Sequence, residues 1–149
     1  AGGMPVGGFI ANEKYMDLLS HNPKLGHITT FGGHPVIAAA CLATLQEIIE
    51  KDYAKQSLEK EKLFRSLLVH PLIKEIRGRG LMLAAMTESD TITNEVILRC
   101  HKKGLILFWL LFEGKAIRIT PPLTISNEEI KEGCQIMLET LNEIQQEYK

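Results

Sequence analysis

Leu105-Ile106-Leu107-Phe108-Trp109 and Ala116-Ile117-Arg118-Ile119 form two short apolar runs joined through Glu113-Gly114, with Pro121-Pro122 stopping the second. Apolar runs of this length, bounded by glycine and proline, read as strands. Alternation in the second turns Ile117 and Ile119 to one face and Arg118 to the other. The segments on either side read as helices. Upstream, a pattern starting near Thr91 or Thr93 closes on Lys102-Lys103-Gly104, basic residues then glycine, as helix C-termini favour. Downstream, Ser126-Asn127-Glu128-Glu129 is a capping box, and Ile130, Cys134, Met137, Leu138, Leu141 and Ile144 make one apolar stripe.

Further back, residues 76–86 read as a strand interrupted by Gly78 and Gly80, where a bulge or turn is expected. A charged amphipathic helix precedes it from Asp52, with Leu63, Phe64, Leu67 and Leu68 at helical spacing, and His70-Pro71 ends it. The order α-β-α-β-β-α predicts a sheet of about three strands with helices on one face. Residues 51–149 are therefore expected to form a small α+β domain.

Residues 1–50 read differently. Gly2, Gly3, Gly7 and Gly8 flank Met4-Pro5-Val6, Phe9-Ile10-Ala11 suits a short strand, and residues 13–19 suit a brief helix. Thr29-Thr30-Phe31-Gly32-Gly33-His34-Pro35 has no periodicity, and adjacent glycines point to unusual backbone angles or a close approach. Pro35 opens a helix running to about Ile49, apolar all round in its first half; such a helix is buried on every side, so it needs protein around it that these 149 residues need not all supply. This half reads as a piece of something larger.

The composition is that of an ordinary globular chain: 149 residues, 45% hydrophobic, 23% charged, formal net charge −1. No charge excess points toward nucleic acid or an anionic membrane. The longest apolar runs, residues 36–43 and 105–112, are eight residues each, against about 20 for a spanning helix. Cys41, Cys100 and Cys134 contain no CxxC pair and read as small core residues kept reduced in cytoplasm. The opening Ala1-Gly2-Gly3-Met4 has no charged segment before an apolar stretch, so no signal peptide is expected.

Most chemical motifs fail. Gly78-Arg79-Gly80 lacks the third glycine of a dinucleotide fingerprint and sits inside a strand pattern. No GxxxxGK[ST] or GxSxG occurs, and His21, His27 and His34 have no partnered cysteines to make a zinc site. Two candidates survive. Thr29-Thr30, ahead of Gly32-Gly33 and the helix start, suits a phosphate, or else a helix cap with a tight turn. Arg118 could grip a carboxylate with its planar fork, or else face solvent as an ordinary arginine.

Four segments together resemble the C-terminal part of class III, ornithine/acetylornithine-like, pyridoxal-phosphate aminotransferases. They are Gly2-Gly3-Met4-Pro5-Val6-Gly7, Thr29-Thr30-Phe31-Gly32-Gly33-His34-Pro35, Ile76-Arg77-Gly78-Arg79-Gly80-Leu81-Met82 and Ile117-Arg118-Ile119-Thr120-Pro121-Pro122-Leu123-Thr124-Ile125, in the family's order. The resemblance implies the end of a type I fold (α/β, then α+β): residues 1–50 finish the large cofactor-binding domain and begin the interdomain helix, and residues 51–149 form the small domain. It implies that Thr30, with Thr29, contacts the phosphate of pyridoxal 5′-phosphate held by the neighbouring subunit of a homodimer, and that Arg118 binds the substrate α-carboxylate. The family's Schiff-base lysine would lie just upstream of Gly2, so this chain is expected to hold part of an active site without the catalytic lysine. The implied activity is amino transfer from an amino acid to a 2-oxo acid. The Thr-Phe-Gly form leans toward ornithine, acetylornithine or similar ω-amino substrates. His34 departs from the family, which often has Asn there. Two other roles stay open: a truncated product serving binding or dimer assembly, and a cofactor-free small-molecule module using Arg118 alone.

Overall fold

The computed structural model describes residues 2–24 and 28–147. Two compact units divide the chain, Ala1–Lys51 and Asp52–Lys149.

The first unit holds α1 (Glu13–Met16), continued by a 3-10 turn (Asp17–Leu19), and α2 (Pro35–Glu50). Local chemistry sets both helix starts. The Asn12 side chain accepts from the Lys14 N–H at 3.1 Å, and the His34 ring nitrogen Nδ1 accepts from the Val36 N–H at 3.3 Å. Pro35 follows at the first helical position, where its missing N–H costs nothing. His34 thus caps the helix. Within this chain α2 does not find the cover that so apolar a helix calls for. None of its residues is buried, and Val36, Leu42, Leu45 and Ile49 stay exposed. No strand forms at Phe9-Ile10-Ala11. Short helical turns alone cannot close over an apolar cylinder.

The second unit holds α3 (Tyr53–Leu67), β1 (Glu75–Arg79), β2 (Met82–Met86), α4 (Asp90–Lys102), β3 (Phe108–Leu110), β4 (Glu113–Ile119) and α5 (Asn127–Glu147). The sheet has four strands in the order β1-β2-β4-β3, every neighbouring pair antiparallel. The fourth strand appears because residues 76–86 are a hairpin rather than one interrupted strand, with Arg79 opposite Met82. Gly78 lies at φ +108°, and a Cβ there would stand 2.0 Å from the Met82 carbonyl oxygen. The chain can fold back only because that side chain is missing.

The next turn also differs from expectation. Leu111-Phe112 makes it, 91% and 100% exposed, while Glu113 and Gly114 belong to β4. A register shift between Trp109 and Leu110 accompanies this turn.

Leu83 and Ala85 of β2 and Ile117 and Ile119 of β4 line the buried face. Phe64 of α3, Val96 and Cys100 of α4, and Ile130, Met137, Leu141 and Ile144 of α5 join them in one core cluster. All three helices thus cover one face, as the α+β reading requires. The capping box forms as read: the Ser126 N–H donates to Glu129 Oε2 at 2.7 Å, and the Glu129 N–H returns to Ser126 Oγ at 3.1 Å. Among the described residues no helix is long and apolar enough to cross a membrane.

Candidate functional site

Because Ile117 and Ile119 are committed to the core, Arg118 between them emerges on the helix-free face of the sheet. Register sets its neighbours. Arg77 faces Ala84 across β1–β2, Ala84 faces Arg118 across β2–β4, and Phe108 faces Arg118 across β3–β4. One row of side chains crosses the sheet: Arg77, Ala84, Arg118, Phe108. Ala84 contributes only a methyl on one flank of Arg118. On the other, the Phe108 ring centre lies 4.8 Å from the guanidinium carbon.

Arg118 has no acidic partner among the described residues, and its Nε is buried without a hydrogen-bond partner. Three other arginines of this unit, Arg65, Arg77 and Arg99, are spoken for. Arg65 donates to Glu61 and to the carbonyls of Ile76 and Gly78. Arg77 pairs with Glu75, and Arg99 with both Glu95 and Glu147. A buried guanidinium N–H without an acceptor is costly, and a ligand carboxylate is the acceptor whose geometry matches the fork. Beside Arg118, Leu105-Ile106-Leu107 precede the short β3, and with Ile119, Pro121 and Met137 they line a cleft of about 380 Å³.

Thr29 and Thr30 lie in the other unit. The Gly32 N–H closes a turn on the Thr29 carbonyl at 3.2 Å, and the His34 N–H bonds the Phe31 carbonyl at 3.2 Å. Gly33 follows at φ +72°. Both features weighed in the sequence, cap and tight turn, are therefore present. The cap, however, is His34. That leaves the exposed hydroxyls of Thr29 and Thr30 without a hydrogen-bond partner among the described residues. Free hydroxyls beside a helix start suit an anionic oxygen cluster such as a phosphate.

The remaining motifs are structural. Glu61 of α3 accepts the Gly80 N–H at 2.6 Å and the Arg65 Nε–H at 2.9 Å, so the Glu61–Arg65 pair clamps the β1–β2 hairpin. Those bonds hold the Glu61 carboxyl below its ordinary value. Burial pushes the Cys134 thiol up to about 12 and raises Cys100, so both sit as inert core groups; Cys41 is half-buried. His27 lies outside the described residues, and His34 is engaged as a cap. No group of three or more His, Cys, Asp or Glu among the described residues could hold a metal.

Sequence reasoning missed Phe108 as the partner of Arg118 and the Glu61–Arg65 clamp. The first depends on the β3–β4 register, which the irregularity in β3 hides from a one-dimensional reading; the second depends on how α3 packs against the β1–β2 hairpin.

The fold is that of pyridoxal-phosphate aminotransferases. The ornithine aminotransferase of Toxoplasma gondii superposes with a TM-score of 0.77 at 28% identity, over 90% of this chain and 32% of that one; that structure has partial occupancy of pyridoxal phosphate at its active site. The class-III aminotransferase model matches residues 1–141, and the chain belongs to that family. An acetylornithine aminotransferase of Caldanaerobacter subterraneus is 34% identical over 96% of this chain and 36% of its own length. A leucine/methionine racemase of Thermococcus litoralis is 33% identical over 97% of this chain and 34% of its own. The chain thus spans about a third of the length of the curated relatives it matches.

Proposed function

We propose that the protein transfers an amino group from an amino acid, of the ornithine or acetylornithine kind, to a 2-oxo acid with pyridoxal 5′-phosphate, acting as a cytoplasmic homodimer. In this reading residues 1–50 belong to the large cofactor-binding domain and 51–149 are the small domain. The observation that carries the reading is Arg118: a strand-borne guanidinium with a buried, unpartnered Nε and no competing acid among the described residues. Family membership says which chemistry such a group would serve.

Arg118 would take the α-carboxylate of the amino acid, and then of the oxo acid, in two parallel N–H···O bonds. Two bonds in one plane fix the carboxylate's rotation as well as its position, and hence the direction of the neighbouring Cα–H. Thr29 and Thr30 would donate their free hydroxyls to cofactor phosphate oxygens, Thr30 toward the site of the neighbouring subunit. When bound, pyridoxal phosphate supplies the electron sink that makes the substrate Cα–H acidic.

Moving the proton from that carbon calls for a desolvated lysine, and no described lysine is buried. Lys62, Lys74 and Lys103 are in ion pairs, and Lys14 lies 4.7 Å from the Tyr15 ring centre. In this reading the lysine is the one that the family resemblance implies just before Gly2-Gly3-Met4-Pro5.

The test is Arg118→Lys in the cofactor-loaded protein, titrated with amino acid and with oxo acid. Lysine keeps the charge and loses the fork, so affinity for both is expected to fall by about 1.5–3 kcal/mol while cofactor content is unchanged. Mass mapping of the borohydride-reduced cofactor adduct is expected to place it outside residues 1–149. Unchanged affinities would leave Arg118 as an ordinary surface arginine and reject the reading. A single stoichiometric adduct on an internal lysine would reject the assignment of the lysine.

A further inference from the structure

We propose that Phe108 is the positioning residue of the Arg118 carboxylate site: its ring stacks on the guanidinium and holds the fork in the plane in which a carboxylate is received. The inference rests on the reading of Arg118 as a carboxylate-binding group, and adds to it the residue that gives the guanidinium its orientation.

Three independent observations converge on the pair. Register makes Phe108 and Arg118 direct cross-strand neighbours on the same face. The guanidinium carbon stands 4.8 Å from the ring centre, within cation–π range. The Arg118 Nε is withdrawn from solvent although no acceptor meets it.

A ring on the guanidinium face makes no demand on the N–H groups, which all point outward in the plane. An acidic neighbour would hold the side chain too, but would occupy the very donors that a ligand needs. Arg99 and Arg77 show that alternative, with their forks taken by Glu147 and Glu75. An aromatic partner is thus the arrangement that restrains an arginine while leaving its fork vacant. Ala84 on the opposite flank adds no side chain beyond a methyl and so leaves that flank open.

The ring is itself held. It packs edge-on to the Trp109 ring, 5.6 Å between centres at 75°. The Trp109 indole N–H donates to Asn94 Oδ1 at 2.6 Å, fastening β3 to α4. Phe108 therefore transmits the rigidity of the helix layer to a side chain on the other face of the sheet.

The test uses the full 149-residue chain and sodium acetate as the carboxylate probe, followed by the side-chain ¹H–¹⁵N signals of arginine Nε. In the unsubstituted chain the Arg118 Nε–H is expected to be ring-current shifted, slow to exchange with water, and displaced by acetate. In Phe108→Leu the ring-current shift disappears and acetate affinity falls by about three- to tenfold, the range of a partly exposed cation–π pair. Phe108→Tyr keeps the π-face and is expected to restore affinity to within about twofold. A merely structural role would not distinguish leucine from tyrosine at this half-exposed position, nor move the Nε–H signal with the amide fingerprint unchanged. Acetate binding that shifts Arg118 equally in Phe108→Leu overturns the positioning role and leaves the carboxylate site standing. An Arg118 signal that ignores acetate in the unsubstituted chain overturns both. An Arg118 Nε–H that shows no ring-current shift refutes the stacking directly and needs no variant.

Discussion

The more apolar helix of the molecule is the less buried one: α2 is apolar along most of its length, whereas α5 carries a single apolar stripe. In α5 the stripe residues Ile130, Cys134, Met137, Leu141 and Ile144 are buried and Leu138 is half-buried. In α2 Val36, Leu42, Leu45 and Ile49 are all more than half exposed. The difference is topological. From Asp52 onward the chain supplies a four-stranded sheet and three helices, which bury one another's faces. Up to Lys51 the described residues supply helices without a second layer, so an apolar surface has nothing to close against. Site residues divide the same way. Arg118 is held by register, a ring and a filled core, whereas Thr29 and Thr30 are held by a turn and a helix start.

The largest effect expected from this contrast is in the core. Leu141 is fully buried among the helices and the sheet. Leu141→Ala is expected to cost about 2–5 kcal/mol in urea unfolding followed by circular dichroism. Leu45 is 53% exposed, and Leu45→Ala is expected to stay within about 0.5 kcal/mol. A loss at Leu45 as large as at Leu141 would mean that α2 is covered in solution, and the contrast between the units would collapse.

What could be read in the sequence follows the range of the interactions involved. The α5 capping box spans four adjacent residues and was plain, as was the Pro35 helix start. The side of the sheet on which Arg118 emerges followed from alternation alone. The turns were harder. Leu111-Phe112 carries no glycine, proline or asparagine, so an apolar run concealed a reversal that strand pairing imposes. At the β1–β2 hairpin Gly78 and Gly80 marked a bulge or turn, but whether the chain kinked within one strand or reversed into a second was not legible. In the candidate site, residue types were legible but neighbours were not. Arg118 announces a charge, whereas the ring beside it and the vacant Nε exist only once β3 and β4 are in register. For Thr29 and Thr30 the turn was visible, but which group capped the helix depended on His34 acting through a ring nitrogen.

The hairpin gives the next effect down. Gly78 combines φ +108° with a Cβ position 2.0 Å from the Met82 carbonyl oxygen. Gly78→Ala must therefore open the β1–β2 turn, and a loss of about 1–3 kcal/mol is expected in the same unfolding assay. Gly33 offers the control in the other unit: φ +72°, with nothing within 4 Å of an added Cβ. Gly33→Ala meets only backbone strain, about 1 kcal/mol. Because no described residue of that unit is buried, its strain should be relieved locally and leave the main transition of the second unit unmoved. Equal midpoint shifts for the two variants would show that the units unfold as one.

The smallest effect concerns the same hairpin from the side of α3, and is read as a pH dependence. Glu61 accepts the Gly80 N–H and the Arg65 Nε–H, and those bonds hold its carboxyl below the ordinary value of 4.5. A carboxylate whose folded value is depressed binds protons more readily in the unfolded chain. Its contribution is therefore fully present above about pH 4.5 and drains away as pH falls through the lower folded value. Glu61→Gln keeps the shape and removes the titration. The variant should be less stable than the parent at pH 6, and the gap should narrow steadily as the solution is taken toward pH 3. Glu129 must be kept in view, because its capping bonds to Ser126 depress it in the same sense and shape the parent's acid limb. Since Glu129 is common to both proteins, the difference between their curves isolates Glu61. A gap constant from pH 6 to pH 3 would mean that the clamp works through shape alone, and that the hairpin is fastened by Arg65 on the carbonyls of Ile76 and Gly78 rather than by the charge on Glu61.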